Sequence, residues 1–129
     1  MNKSLKSVFA YGLFLIGGLA LGYAIPRIPN WFKPAYVEGN YSAYLNGAKS
    51  QVVMYSTSWC PYCAKTRAYF AAHHISYQEM DIEKSPVAKQ QYAQLGGGSI
   101  PKVLIGNRMI VGFVPSAFET ALRAVGHTK

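Results

Sequence analysis

The feature that most constrains this 129-residue chain is an apolar segment, residues 7–26, that carries no charged side chain. As an α-helix rising about 1.5 Å per residue, a segment of this length spans about 30 Å, the thickness of a bilayer's hydrocarbon core. Lys3 and Lys6 precede the segment and Arg27 follows it. We therefore predict a single-pass transmembrane helix within residues 1–26.

A cleaved signal peptide is the alternative, because Gly22-Tyr23-Ala24 is a small-x-small pattern of the kind that signal peptidases cut. The apolar run is longer than a usual signal-peptide core and Pro26 lies just beyond the cut, which favours an uncleaved anchor. Basic residues flank the segment on both sides, so the positive-inside count is close to a tie. A short amino-terminal tail left in the cytoplasm is the simpler insertion, and it places the rest of the chain on the extracytoplasmic (periplasmic) side.

The remainder of the chain is long enough for one small core and not for two. Disorder is excluded because 50% of the residues are hydrophobic and only 14% are charged. The formal net charge is +8, but no basic run or stripe of the kind that binds nucleic acid is present. We predict a linker over residues 27–49, with a short helix between Gly39 and Ala48, followed by a folded domain over residues 50–129.

The domain's predicted elements run in the order β-α-β-α-β-β-α. The patterns predict a strand over 51–56, a helix opened by Pro61, a strand over 75–82, a helix opened by Ser85-Pro86, a hairpin over 101–112 around Gly106-Asn107, and a last helix opened by a Ser116-x-x-Glu119 capping box. Two strands joined through a helix lie parallel, and the hairpin adds antiparallel strands. The prediction is an α/β domain with a mixed four-stranded sheet flanked by helices.

Both cysteines of the chain lie in Cys60-Pro-Tyr-Cys63, where a predicted strand ends and a helix begins. Unpaired amides and the dipole at a helix amino terminus favour the thiolate, which is the nucleophile of thiol–disulfide exchange. We therefore predict that Cys60 attacks a target disulfide and that Cys63, one turn into the helix, resolves the mixed disulfide. No metal site is predicted, because His73 and His74 lie about 15 Å from the thiols along one helix.

A second candidate feature is Ser99-Ile100-Pro101, just before the predicted hairpin. Beside a redox pair in this topology we predict a cis Ile100–Pro101 peptide bond. Such a bond turns the preceding backbone outward, so that the N–H and C=O of Ile100 pair with an extended thiol substrate as in strand addition. Pro101 is therefore assigned to the catalytic site together with the two cysteines.

Residues 51–126 resemble glutaredoxins, proteins of the thioredoxin fold. The resemblance rests on Val52–Ser56 leading into Cys-Pro-Tyr-Cys, on Tyr77–Asp81, on Ser99–Ile105 and on the Gly106-Asn107 turn. The Cys-Pro-Tyr-Cys tetrapeptide is typical of dithiol glutaredoxins. The resemblance implies a thioredoxin-like fold, no bound cofactor, and reduction of protein disulfides or glutathione mixed disulfides, with glutathione as the reductant.

The resemblance also implies a glutathione groove lined by Tyr62, Ile100 and Pro101. Gly112 matches a groove glycine, and Thr57 stands where many glutaredoxins have a lysine that pairs with a glutathione carboxylate. The acidic residues that hold the γ-glutamyl end are replaced by an apolar pair, Phe113-Val114, which we expect to face a protein partner. Small glutaredoxin-like redoxins that accept electrons from thioredoxin reductase share such departures.

We therefore predict a membrane-anchored thiol–disulfide oxidoreductase with a monomeric redox domain. A thioredoxin-reductase-dependent redoxin is one alternative. Another is an iron–sulfur module, in which the first cysteine and glutathione bridge a cluster between subunits, although Cys63 and the Pro-Tyr pair disfavour it. A redox-inert partner-binding module is the third, and the intact Cys60/Cys63 pair argues against it.

Overall fold

The computed structural model describes residues 3–24, 35–48 and 50–127. The chain divides into two compact units, Met1–Lys33 and Pro34–Lys129. The described part of the first unit is helix α1 (Lys3–Ala24). The second contains β1 (Val37–Glu38), α2 (Ser42–Leu45), β2 (Val52–Ser56), α3 (Pro61–Ala72), β3 (Gln78–Asp81), α4 (Pro86–Gln94), β4 (Lys102–Ile105), β5 (Arg108–Val111) and α5 (Pro115–Ala124).

Helix α1 covers most of the segment predicted to cross a membrane. The large apolar side chains that the structure describes on it, between Val8 and Leu19, are exposed to solvent, Phe14 to 83%. Among the residues placed by the structure, no helix has both the length and the apolar character that a membrane crossing needs. The predicted transmembrane helix is therefore not supported by the structure. Pro26 and Arg27, which bear on the cleavage and orientation predictions, lie outside the described residues.

The second unit is built on a mixed five-stranded sheet with the order β1-β5-β4-β2-β3. As predicted, β2 and β3 are parallel and are joined through α3, while β4 and β5 form an antiparallel hairpin. The prediction of four strands is wrong, because β1 pairs antiparallel with β5 and places Val37 opposite Met109. A two-residue strand has too little alternation to be found from sequence, and it exists only because β5 offers an edge.

The segment around β1 and α2 belongs to the folded unit, although it falls within the predicted linker. The predicted short helix is present as α2, and Tyr41, Tyr44 and Leu45 pack against one face of the sheet. The guanidinium of Arg108 lies 4.6 Å from the centre of the Tyr36 ring. The rest of the predicted linker, residues 27–34 and 49, lies outside the described residues.

The core lies on both faces of the sheet, and β2 is buried throughout. Because side chains alternate along a strand, Val52 and Met54 face one helical layer and Val53 and Tyr55 the other. Helices α3 and α5 cover the first face through Phe70, Phe118, Ala121 and Leu122. Helices α2 and α4 cover the second. Strand β2 lies in the interior of the sheet, between β4 and β3, and its carboxyl end leads to the cysteines.

The starts of two helices test the capping predictions. Ser85 caps α4 as predicted, accepting a hydrogen bond from the N–H of Ala88 at 3.2 Å. The predicted capping box of the last helix is wrong: Val114 is the N-cap, Pro115 is the first helical residue, and no side chain caps α5. Proline is favoured at the first helical position because it has no N–H to leave unpaired, and it starts the helix ahead of Ser116.

Candidate active site

Cys60 is the N-cap residue of α3, four residues beyond the end of β2. Pro61 occupies the first turn, where its fixed backbone angle favours a helix start. The N–H of Cys63 donates a hydrogen bond to Cys60 Sγ at 3.2 Å. The sulfur therefore takes the place of the oxygen that usually caps a helix. Amides and the helix dipole at this position stabilise negative charge on the group that accepts from them.

Cys63 lies one turn further along α3 and is fully buried. Burial raises the pKa of its thiol to about 12, and a hydrogen bond with Cys60 adds to the effect. A backbone hydrogen bond from Thr57 and the charge of Arg67 act in the opposite direction. Both cysteines are free thiols, so the second one is held protonated near neutral pH beside the first.

The Ile100–Pro101 peptide bond is cis, as the sequence predicted. The carbonyl oxygen of Ile100 lies 3.9 Å from Cys60 Sγ, so the backbone before the proline borders the reactive sulfur. Gly112 stands behind this loop, and its N–H donates to the carbonyl oxygen of Pro101 at 2.8 Å. Cys60, Ile100 and Pro101 are thus brought together, with Gly112 supporting the loop through its backbone.

A groove of about 620 Å³ lies beside the cysteine loop. Six of the residues that line it are Thr57, Trp59, Glu83, Lys89, Tyr92 and Ile100. Of the residues predicted to form a glutathione groove, Thr57 and Ile100 line it and Tyr62, Pro101 and Gly112 do not. Tyr62 is instead exposed on α3, with the ammonium of Lys65 at 5.2 Å from its ring centre.

The groove carries one side chain of each charge and one buried hydroxyl. Glu83 accepts a hydrogen bond from the indole N–H of Trp59 at 2.9 Å, and Lys89 supplies an ammonium group. Thr57 is 1% exposed, and its Oγ1 has no hydrogen-bond partner among the described residues. Trp59, Glu83 and Lys89 were not among the site residues predicted from the sequence. The position of Lys89 could be predicted, because the Ser85-Pro86 helix start places its side chain one turn into α4.

A buried lysine fixes the glycine-rich loop that leads to Ile100. Lys102 in β4 is 3% exposed, and its Nζ donates to the carbonyl oxygens of Leu95 at 2.9 Å and Gly97 at 2.6 Å. Burial lowers the pKa of this lysine. A lysine in the apolar run after Pro101 is a sequence signal for such a role, because a buried lysine needs hydrogen-bond partners.

Phe113 and Val114, which we expected to face a protein partner, also contribute to the core. Both are partly buried and pack against the core cluster that contains Phe118. The rings of Phe113 and Phe118 lie 6.1 Å apart, edge to face. This apolar pair closes one end of the core, because α5 begins directly after it.

Sequence comparison finds similar proteins across the second unit. The glutaredoxin family model matches residues 52–110. The chain is 34% identical over 64 residues to a glutaredoxin of Neisseria meningitidis serogroup B, covering 48% of this chain and 75% of that protein. It is 29% identical over 62 residues to a glutaredoxin of Pseudomonas aeruginosa, covering 47% of this chain and 74% of that protein.

Structural comparison finds the same fold in solved structures. The glutaredoxin of Archaeoglobus fulgidus superposes with a TM-score of 0.53 at 23% identity, covering 62% of this chain and 92% of that one. The glutaredoxin-like protein NrdH-redoxin from Escherichia coli superposes with a TM-score of 0.50 at 19% identity, covering 60% and 96%. The second unit therefore has a thioredoxin-like fold.

The two thiols should differ in reactivity. In the reduced, folded protein at neutral pH, we expect iodoacetamide to modify Cys60 and to leave Cys63 unmodified, because burial raises the pKa of the Cys63 thiol to about 12. In a Cys60→Ser variant, alkylation of Cys63 should keep accelerating with pH far into the alkaline range. Peptide mass spectrometry measures both sites, and the protein unfolded in guanidinium chloride is the control in which both react. Equal reactivity in the folded protein would contradict the assignment.

Proposed function

Because this chain belongs to the glutaredoxin family, we propose that its dithiol reduces protein disulfides and mixed disulfides of glutathione. The chain is a glutaredoxin-like thiol–disulfide oxidoreductase. The observation that carries the proposal is the position of Cys60 Sγ, which accepts the N–H of Cys63 at the start of α3 and borders the carbonyl of Ile100. These residues come from one chain, so the proposal requires no oligomer.

In the first step, the Cys60 thiolate attacks one sulfur of the target disulfide. A bond forms between Cys60 and that sulfur while the target disulfide breaks, and the departing sulfur takes the electron pair and then a proton from water. The backbone of Ile100 gives an extended substrate a place to pair beside the reacting atoms.

In the second step, Cys63 loses its proton to solvent and its thiolate attacks Cys60 Sγ. The Cys60–Cys63 disulfide forms, the mixed disulfide breaks, and the product thiolate leaves and is protonated. The target gains two electrons and the dithiol loses two. Two molecules of glutathione then restore the dithiol. A glutathione mixed disulfide on Cys60 can also be resolved by a second glutathione, without Cys63.

Serine variants separate the two steps. Cys60→Ser should abolish reduction of both insulin and a glutathionylated peptide, because no nucleophile remains. Cys63→Ser should lose insulin reduction and keep exchange with the glutathionylated peptide, since that route needs Cys60 alone. Ala64→Ser, an exposed change in the same turn of α3, is the matched control and should behave as the parent protein. Full turnover by Cys60→Ser would remove the proposed function.

We place the glutathione subsite in the groove beside Cys60. Glutathione has two carboxylates and one ammonium group, and the groove offers the Lys89 ammonium, the Glu83 carboxylate and the unpaired hydroxyl of Thr57. A buried hydroxyl without a partner is costly unless a ligand supplies one. In this proposal the ammonium of Lys89 replaces the lysine that many glutaredoxins have at the position of Thr57.

Replacing Lys89 should weaken glutathione binding. In Lys89→Gln we expect the KM for glutathione to rise about three- to fivefold with little change in kcat, because an exposed ion pair contributes up to about 1 kcal/mol. The difference should shrink at high salt. Lys84→Gln removes the same charge from an exposed side chain that does not line the groove, and is the control. Equal KM values for the two variants would place the glutathione carboxylates elsewhere.

We further propose that residues 1–26 attach the redox domain to a membrane, with the domain on the extracytoplasmic side. The support is the lack of charge over residues 7–26 and the exposure of apolar side chains such as Phe9 and Phe14 on α1. Exposed apolar surface of this kind is unfavourable in water and favourable in lipid.

Cell fractionation tests the attachment. The full chain should sediment with membranes and resist extraction by alkaline carbonate, whereas a chain lacking residues 1–26 should remain in the supernatant. A carboxy-terminal alkaline phosphatase fusion reports the side of the membrane, since this enzyme matures only outside the cytoplasm. Recovery of the full chain in the supernatant would overturn the attachment, and an inactive fusion would reverse the orientation.

A further inference from the structure

Behind the cysteines, an arginine on α3 joins the two parallel strands to the active-site loop. Arg67 follows Cys63 by one helical turn, and its Nε and Nη2 donate to Glu79 Oε1 on β3 at 2.8 and 2.6 Å. Ser56, the last residue of β2, donates its hydroxyl hydrogen to the same carboxylate oxygen. The guanidinium is therefore fixed from two strands and has little freedom to move.

The same guanidinium also bonds to the loop that carries the nucleophile. Nη2 of Arg67 donates to the carbonyl oxygen of Thr57 at 2.9 Å. The backbone of Thr57 in turn hydrogen-bonds to the Cys63 thiol. Arg67 thus acts on the buried sulfur in two ways, by its charge and through the Thr57 backbone, whose carbonyl it binds.

Within the described part of the chain, few ionisable groups act on this sulfur. Cys60 and Arg67 on α3 are the ionisable groups that act on Cys63, and Thr57 adds a backbone hydrogen bond. Glu79 and Tyr77 from β3 act on Arg67. Burial acts to raise the pKa of Glu79, but hydrogen bonds from Arg67 and Ser56 outweigh burial and leave the pKa below its ordinary value. Glu79 is therefore ionised at neutral pH and keeps the guanidinium in position.

We propose that Arg67 is a positioning residue for the resolving thiol, which it assists by placing a fixed positive charge near Cys63 and by holding the backbone of Thr57 through its carbonyl. This inference rests on the proposed function, because it concerns the second step of that reaction. In that step Cys63 must develop negative charge inside the protein, where burial opposes it. A guanidinium carries its charge at any pH the protein tolerates, so it lowers the barrier for attack on Cys60 without taking up or releasing a proton.

The test measures the second step by itself. Cys60 is loaded with a fluorescent thiol as a mixed disulfide, and stopped-flow fluorescence follows its release by Cys63 over a range of pH. In Arg67→Gln we expect release to be about tenfold slower at each pH, with the rate still rising with pH. In Arg67→Lys we expect release to be about threefold slower. An ammonium keeps the positive charge, but it lacks the planar set of N–H donors that bonds to Glu79 and Thr57 together. Glu79→Gln, which removes the anchoring carboxylate but retains the guanidinium and its acceptor at Thr57, should slow release by less than Arg67→Gln does.

A second assay distinguishes positioning from general damage. Exchange between Cys60 and a glutathionylated peptide needs no second cysteine, and in a Cys63→Ser background it should be unaffected by Arg67→Gln. Release at the parental rate in Arg67→Gln, an equal loss in both assays, or an equal loss in Glu79→Gln would each overturn the proposal. If Arg67→Gln does not fold, parental release by Arg67→Lys overturns it instead. Failure of the parent protein in both assays would remove the proposed function, independently of Arg67.

Discussion

The hydrogen bond from the N–H of Cys63 to the sulfur of Cys60 is the interaction on which the chemistry of this protein depends. It exists because the buried interior strand β2 ends at Ser56, shortly before the first turn of α3. A sulfur that caps a helix lies where the backbone stabilises negative charge. The sheet and helices are thus arranged so that one sulfur is in contact with the helix amides and also borders the substrate strand at Ile100.

The two sulfurs of the pair meet opposite requirements. The first must react with a partner, whereas the second must stay protonated until a mixed disulfide has formed next to it. Burial meets the second requirement, since it raises the pKa of the Cys63 thiol to about 12. The same burial opposes the negative charge that Cys63 develops during attack. In our proposal the guanidinium of Arg67 stabilises that charge. Cys63 must stay protonated before the mixed disulfide forms and must then become a thiolate. A positive charge that is fixed near Cys63 and does not titrate, such as that of Arg67, assists the second event at any pH.

Two cations of low exposure, Lys102 and Arg67, hold loops of the site in place, and each has hydrogen-bond partners suited to its charge. Lys102 has no carboxylate partner in the hydrogen bonds that the described residues show, and it donates to two backbone carbonyls of the glycine-rich loop. Arg67 is paired with Glu79. Charged groups at low exposure are stable only when such partners are present. As a result, Lys102 on β4 fixes the loop before Pro101, and Arg67 on α3 fixes the loop before Cys60.

The sequence alone determined the order of elements from β2 to α5, the parallel pairing of β2 with β3, and the location of Cys60, Cys63 and Pro101, because these follow from local patterns. Strand alternation, proline at a helix start and two cysteines one turn apart all act over a few residues. It did not determine the pairing of β1 with β5, the start of α5 at Pro115, or the burial of Phe113. Nor did it reveal that Lys89 lines the groove or that Arg67 reaches Thr57. Those features depend on segments far apart in the chain meeting in the fold, and only tertiary packing decides which edge, cavity or carbonyl a side chain finds.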